Sequence, residues 1–371
     1  MEVNIVRKKV RRGLSRIALV YPSTYEAMAT SLSVHIVYYM VNGLFSEVYL
    51  ERFYAHSLHG VEPEARSLET RSPLRNYELI LTSIHYEPAI ASLVRMLYYS
   101  GINPIRSKRE IPIVAGGPAV MANPHPYADI VDAFIIGEAE ATLSRVVDAW
   151  LSYRGEKKKF LEEIASLKYV YVPGINEPQE KIYRVWVENL DTAFYPIRQF
   201  YNPEREPVFG RGFLLETSRG CMFWCRFCLE GKLFKPYRKR SYSALQKLVN
   251  KGLRVNNTDR VVVYSLVYPS SPDEKLLLEY LVDNGIKASL PSMRANYLDR
   301  GFLELARAAG QETLTIAPES FSPFIQRIIG KYFELDPITE LILEAAKLGF
   351  NIKIYVIYGV KGEKRRYREN H

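Results

Sequence analysis

GFLLETSRGCMFWCRFCLEG (residues 212–231) joins a strand-like run to a loop that carries every cysteine of the chain, Cys221, Cys225 and Cys228. A short apolar strand that ends in ligand-type side chains fits the catalytic rim of a β/α barrel, where sites are built on the loops that follow the strands. The residues downstream continue the pattern. Strand-like runs RVVVYSLV (260–267), KASLPSM (287–293), ETLTIAPES (312–320) and NIKIYVIYGV (351–360) alternate with helical periodicity over 243–253, 273–284, Tyr297 to Ala309 and two stretches between Pro323 and Leu348. These βα steps imply a partial (β/α) TIM-like barrel.

Upstream, from Arg16 to about Arg154, RIALVYP, EVYLERFY, YELILTSI, IPIVAGGP and DAFIIGE alternate with amphipathic stretches, one of them an unbroken run from Tyr25 to Asn42. Short apolar strands separated by helical periodicity predict a Rossmann-like, doubly wound parallel sheet. Ligands of such sheets bind beyond the carboxyl ends of the strands, which places PSTYE, SIHYE, GGPAV and GEAEA on one rim. Between the two series the chain changes character: GEKKKFLEE is charged, YVYVPG and KIYRVWVENL alternate like a hairpin, and FYNPEREPVFG reads as loop. The expected fold class is therefore α/β, with a Rossmann-like domain over 1–154, an interdomain segment with a β ribbon over 155–212, and the partial barrel over 213–371.

Composition narrows the function classes. The 371 residues allow two domains, and 47% apolar with 25% charged residues is ordinary for a soluble protein. No uncharged apolar run is long enough to cross a bilayer, and the N-terminus lacks the apolar core of a signal peptide, so a cytoplasmic protein with no membrane partner is expected. A net charge of +9 admits a polyanion such as RNA as a partner, although the lysines and arginines are scattered. Three closely spaced cysteines fit one metal centre better than a disulfide framework. Three thiolates hold three irons of a [4Fe-4S] cluster and leave one iron open for chemistry. A structural zinc would need a fourth ligand, and no histidine lies between His125 and His371.

Cys-x-x-x-Cys-x-aromatic-Cys at the end of a barrel's first strand resembles the radical S-adenosylmethionine (SAM) superfamily. The resemblance implies a [4Fe-4S] cluster whose open iron is chelated by SAM, and an electron donor such as a ferredoxin or flavodoxin. The reduced cluster would cleave SAM to a 5'-deoxyadenosyl radical that abstracts hydrogen from a substrate. It further implies that Phe227 lies by the adenine, and that Ser265 and Ser270 of YSLVYPS stand where relatives carry a Gly-Gly-Glu for the methionine amino group. Ser292, Arg294 and Glu319 would project toward the cofactor, Arg294 onto its carboxylate and Glu319 onto ribose hydroxyls or the amino group. Gly359, Gly362 and Glu363 of YGVKGE match the fifth-strand glycine motif.

RGCMFWCRFCLEG with FKPYRKRS, SLPSMR, TIAPES and IIGK is similar to one branch of that superfamily, with a cobalamin-binding-like domain ahead of the barrel. Its rim residues would be Ser23, Thr24, Ser83, Gly116, Gly117, Gly137 and Glu138. The first loop has no Asp-x-His-x-x-Gly, so cobalamin, if bound, is expected base-off; His56, His59 and His85 are the histidines nearby. The two-domain order implies methyl or methylthio transfer as the reaction. The alternative is a non-catalytic iron–sulfur or RNA-binding protein derived from the same fold. Family barrels have six strands, and only five are counted before the basic tail KRRYRENH, so the barrel is expected to be cut short after its fifth strand, with little turnover by this chain alone.

Overall fold

In a computed structural model the structure describes residues 2–177, 180–361 and 363. The chain forms two compact units, Met1–Glu188 with Thr192–Val208, and Asn189–Asp191 with Phe209–His371.

Strands covered by helices on both sides are apolar on both faces, and the first unit follows that rule. Its elements run β1 (Ser15–Tyr21), α1 (Tyr25–Ala29), α2 (Leu32–Leu44), β2 (Val48–Tyr54), β3 (Leu79–Ser83), α3 (Ala89–Tyr99), β4 (Ile113–Gly116), α4 (Pro118–Ala122), β5 (Ala133–Ile135), α5 (Ala139–Ser152), α6 (Lys157–Ala165) and β6 (Val170–Tyr171). The sheet order is β2-β1-β3-β4-β5-β6, parallel throughout except for β6, which pairs antiparallel with β5. One face packs Tyr38 and Val41 of α2, Val146 and Trp150 of α5 and Phe160 of α6. The other packs Leu93 and Met96 of α3 and Val120 of α4. The domain is doubly wound and Rossmann-like, and its strand order reverses between β1 and β3, where such folds take their ligands.

β2 also buries two charges. Glu51 accepts from Arg16 Nε at 3.0 Å. Arg52 pairs with Glu69 at 2.6 Å and Glu2 at 2.8 Å, and its guanidinium lies 3.8 Å from the Phe200 ring centroid. These contacts let a strand reading VYLERFY remain fully enclosed, because buried charges persist only when paired.

Three local expectations change. The run from Tyr25 to Asn42 is two helices, broken where Thr30 Oγ1 donates to Ala27 O at 2.9 Å and closes α1. GEKKKFLEE forms α6, whose Phe160, Leu161 and Ile164 face the core; Lys158 and Lys159 are exposed, while Lys157 pairs with the buried Asp132 at 2.8 Å. Of the expected ribbon within 155–212, β6 forms but extends the main sheet; KIYRVWVENL makes one isolated bridge, Gly137 with Val185.

The second unit runs β7 (Phe213–Glu216), β8 (Ser218–Arg219), α7 (Glu230–Leu233), β9 (Arg238–Lys239), α8 (Tyr242–Asn256), β10 (Arg260–Tyr264), α9 (Pro272–Asp283), β11 (Lys287–Ser289), α10 (Arg300–Ala308), β12 (Thr313–Glu319), α11 (Pro323–Ile329), α12 (Leu335–Lys347) and β13 (Asn351–Val356). β7, β10 and β11 are parallel neighbours, as are β12 and β13. The two groups meet at Met293, whose backbone bridges both Tyr268 and Ile316. Helix stops and starts follow local chemistry: Ser241 caps α8 by accepting from Ala244 N, and Asp299 caps α10 by accepting from Phe302 N at 2.7 Å. Along β12, Leu314, Ile316 and Pro318 are buried while Thr313, Thr315, Ala317 and Glu319 are half-buried. This is a partial barrel with its strands in chain order.

Candidate active site

The cysteine loop is held at both ends. Glu216, the last residue of β7, accepts from Arg219 at 2.7 and 3.0 Å and from the buried Arg240 at 3.3 Å. β8 and β9 pair antiparallel, Ser218 with Lys239 and Arg219 with Arg238, and so close the segment between them into a loop. Gly220 turns the chain into the first cysteine at φ +86, where a Cβ would lie 2.6 Å from Pro236 O and also against Phe234 O. Only glycine fits there, on both conformational and steric grounds.

Cys221, Cys225 and Cys228 are free and half-buried. Backbone N–H groups already point at the sulfurs: Phe223 N donates to Cys221 Sγ at 3.4 Å and Gly231 N to Cys228 Sγ at 3.3 Å. Gly231 sits where a Cβ would be 3.5 Å from Cys228 Sγ. Among the described residues no three His, Cys, Asp or Glu side chains converge as ligands of one metal ion. Three cysteine thiolates on one short loop are the donor set that a [4Fe-4S] cluster uses. Burial pushes the Cys221 thiol up and its neighbours Cys225 and Cys228 add to that, while the Phe223 N–H and Arg294 pull it back. The loop is braced from below by α11, since Arg226 N donates to Ile329 O at 2.8 Å. Gly330 ends α11 in a left-handed conformation, 3.4 Å from Arg226 Cγ when given a Cβ. The IIGK stretch is thus a support for the cysteines.

Of the other expected residues in this unit, Arg294 and Glu319 stand in the most informative surroundings. The Arg294 guanidinium lies 3.6 Å from the Phe223 ring centroid, within the cysteine loop, and its Nε is buried without a partner. Glu319 ends β12 at φ +66, a region a non-glycine residue adopts only under constraint, and its carboxylate meets Lys331 at 3.1 Å. Phe227 is 46% exposed. Ser292 is exposed beside the buried Met293. Ser265 turns back on its own loop: its hydroxyl donates to Val267 O at 2.5 Å, accepts from Val267 N and meets Ser218 Oγ at 2.7 Å. Ser270 is likewise engaged, with Glu274 at 2.8 Å and Tyr237 at 2.6 Å. The two serines shape the loop after β10 and do not present free hydroxyls. Gly359 has φ +83 and its N–H donates to Glu363 Oε2 at 2.8 Å; Gly362 lies outside the described residues. Sequence reasoning missed Phe223, Lys331 and Glu274. Acidic residues in a helix's first turn are commonly solvated, so SPDE gave no hint that Glu274 is buried.

In the first unit, Thr24 caps α1 by accepting from Ala27 N at 3.4 Å. The neighbouring rim is covered by the chain itself, because Arg205 pairs with Glu26 at 2.8 Å and lies over Tyr25 and Tyr54; Ser23 O accepts from Ala55 N. Gly137 and Glu138, expected on an open rim, are also covered: a Cβ on Gly137 would lie 2.6 Å from Val185 O, and Glu138 binds Arg184 and Val187 N, each at 2.9 Å. The bridge from Val185 closes this end of β5. At the β1/β3 switch point, Ser83 and His85 are half-buried and Gly116 faces open space. Gly117, at φ +109, is held 2.5 Å from Ile84 O when given a Cβ. His85 Nε2 lies 3.4 Å from both Ser31 and Ser33 hydroxyls, and burial lowers its pKa, so it is a neutral imidazole. His56 and His59 are exposed in the loop after β2.

Comparison with known proteins places these features in context. Residues 33–173 match the family described as radical SAM proteins, N-terminal, and residues 215–371 match the radical SAM superfamily. An uncharacterized protein of Methanocaldococcus jannaschii, MJ0966, is 29% identical over 94% of this chain and 71% of its own length. An uncharacterized methyltransferase of Pyrococcus horikoshii, PH0819, is 25% identical over 68% of this chain; the chain spans 55% of that relative. Among solved structures, the radical SAM methyltransferase TsrM of Kitasatospora setae, with tryptophan substrate and the SAM analogue aza-SAM bound, superposes with TM-score 0.62 over 95% of this chain and 69% of its own, at 14% identity. A second TsrM structure, with cobalamin and a [4Fe-4S] cluster bound, also gives TM-score 0.62, at 13% identity over 95% and 68% of the two chains.

Proposed function

The chain belongs to the radical SAM superfamily of enzymes, and from that premise we propose that it is a SAM-dependent methyltransferase built on a [4Fe-4S] cluster. The observation that carries the reading is the cysteine loop: three free thiols after the first barrel strand, with N–H groups on two sulfurs and a guanidinium stacked on the same loop. Cys221, Cys225 and Cys228 would hold three irons and leave the fourth for SAM. When bound, cluster and SAM supply the electron and the methyl group that no side chain here can provide. The protein's own part is to bind and orient. Arg294 offers a half-buried cation with an unused Nε for the carboxylate of SAM, and the ring of Phe223 fixes its plane. Glu319, constrained at φ +66 and paired with Lys331, offers the second oxygen of its carboxylate to a hydroxyl or amino group. The names of PH0819 and TsrM support methyl transfer.

The first domain, residues 1–154, is read as the cobalamin-binding part. Its switch-point residues Ser83, His85, Gly116 and Gly117 suit a large planar ligand, since Gly116 faces open space. The loop at 22–24 offers no imidazole, and His85 is turned to Ser31 and Ser33, so cobalamin is expected base-off. A reductant of the ferredoxin or flavodoxin type would deliver electrons.

Reconstituted anaerobically with iron, sulfide and cobalamin, reduced, and given methyl-labelled SAM, the protein should demethylate SAM and show a base-off cobalamin spectrum. Intact SAM together with a fully loaded cluster would overturn the methyltransferase reading. Arg294→Ala should weaken SAM binding by about 1–3 kcal/mol at unchanged iron content, the scale of a lost charged hydrogen bond. Calorimetry on matched cluster content measures it, and wild-type affinity would return Arg294 to a packing role.

A further inference from the structure

Glu274 stands in the first turn of α9 and is 1% exposed. Its carboxylate draws together three donors from two strands' ends. Thr217 Oγ1, just after β7, donates to Oε1 at 2.5 Å, and both the N–H and the hydroxyl of Ser270 donate to Oε2, the hydroxyl at 2.8 Å. Tyr237 OH meets the same Ser270 hydroxyl at 2.6 Å. Burial pushes the Glu274 carboxyl up, while Thr217 and Ser270 pull it back. A carboxylate enclosed this fully is costly unless donors surround it, and a buried network satisfied in this way holds the segments it joins rigidly.

What it fixes is the loop after β10. Glu274 and the Ser218–Ser265 contact tie residues 265–270 to the strand end that launches the cysteine loop. Within that loop Tyr268 is fully buried, and its carbonyl accepts from Arg294 N at 3.1 Å. Arg294 then extends its guanidinium to Phe223 in the cysteine loop. A path therefore runs from Glu274 by hydrogen bond to Ser270, along the backbone through Pro269 to Tyr268, and by hydrogen bond from the Tyr268 carbonyl to the backbone of Arg294.

We infer that Glu274 is a positioning residue for SAM binding: by clamping the 265–270 loop it sets where Arg294 stands beside the cysteines. This rests on the reading that SAM binds at the cysteine loop. The relation of Glu274 to Arg294 is the new content.

Glu274→Ala should retain iron content yet bind SAM about ten-fold more weakly or worse, with loss of the SAM-induced change in the electron paramagnetic resonance spectrum of the reduced cluster. Glu274→Gln keeps the volume and an acceptor, and should recover affinity to within about three-fold of wild type. Because the effect travels through Arg294, Glu274→Ala should cost little further in an Arg294→Ala background. If Glu274→Ala does not fold, Thr217→Val combined with Ser270→Ala removes both side-chain donors and leaves only the Ser270 N–H on the carboxylate, and should give a loss in the same direction of at least about three-fold. Wild-type affinity in whichever of these clamp variants folds, or losses that simply add to that of Arg294→Ala, would overturn the inference alone. A wild-type protein that loads its cluster and binds no SAM would overturn the functional reading and this inference with it.

Discussion

Cys221→Ala, Cys225→Ala and Cys228→Ala should each abolish the cluster: reconstituted anaerobically, the wild-type protein is expected to bind about four irons per chain and each variant close to none. The effect is large because there is no reserve. The chain has three cysteines in all, so no fourth thiol can replace a lost one. Cys221 is fixed by its place directly after Gly220, and Cys228 by the Gly231 N–H at 3.3 Å, so neither can shift to cover the loss of the other. Iron and sulfide analysis with the visible absorption spectrum measures the outcome. A protein that takes up one zinc, and no iron with sulfide present, would refute the assignment.

Arg52→Met should destabilise the first unit by about 3–5 kcal/mol, the cost of breaking a buried ion pair by removing one partner. Methionine replaces most of the stem but leaves Glu69 and Glu2, 2.6 and 2.8 Å from the guanidinium in the wild type, facing an apolar pocket against Phe200 and Tyr38. For a unit of this size that corresponds to roughly 10 °C in melting temperature. Burial already raises the Glu69 carboxyl in the wild type and Arg52 pulls it back; without Arg52 that pull is lost, so the folded pKa of Glu69 rises further above the unfolded one. The deficit relative to wild type should therefore shrink as pH falls toward the carboxylate range and grow as pH rises above it. Adding Glu69→Gln and Glu2→Gln should recover much of the loss. Thermal unfolding at two pH values checks both, and a deficit below about 1 kcal/mol would mark the cluster as dispensable.

The parallel strands were legible because RIALVYP and YELILTSI are enclosed on both faces and can only read as unbroken apolar runs. α6 was less legible, since KKKFLEEIA buries just Phe160, Leu161 and Ile164 and leaves a charged majority outside. KIYRVWVENL misled in the other direction. Its alternation arises from Arg184 reaching Glu138 and Val185 bridging Gly137, a single point of pairing that looks like a strand in sequence. At the candidate site, the three cysteines stood out by their spacing, and the structure holds them on one loop after β7. The serines after β10 were not legible, because nothing in YSLVYPS says that Ser265 bonds its own turn or that Ser270 answers to Glu274. A hydroxyl's direction is decided by partners distant in sequence, and those partners are visible only once the strands are laid side by side.

Met293 carries a consequence for the barrel wall. β7, β10 and β11 pair in one ladder and β12 and β13 in another, but between the two groups the backbone pairing among the described residues narrows to this one residue, whose N–H reaches Thr315 O at 2.8 Å. A wall joined at one rung parts there before it parts anywhere else. The rung is adjacent in sequence to Arg294, so the position of the guanidinium on the Phe223 ring depends on this one point of pairing. The thinnest place in the wall thus lies one residue from the side chain that reaches the cysteine loop.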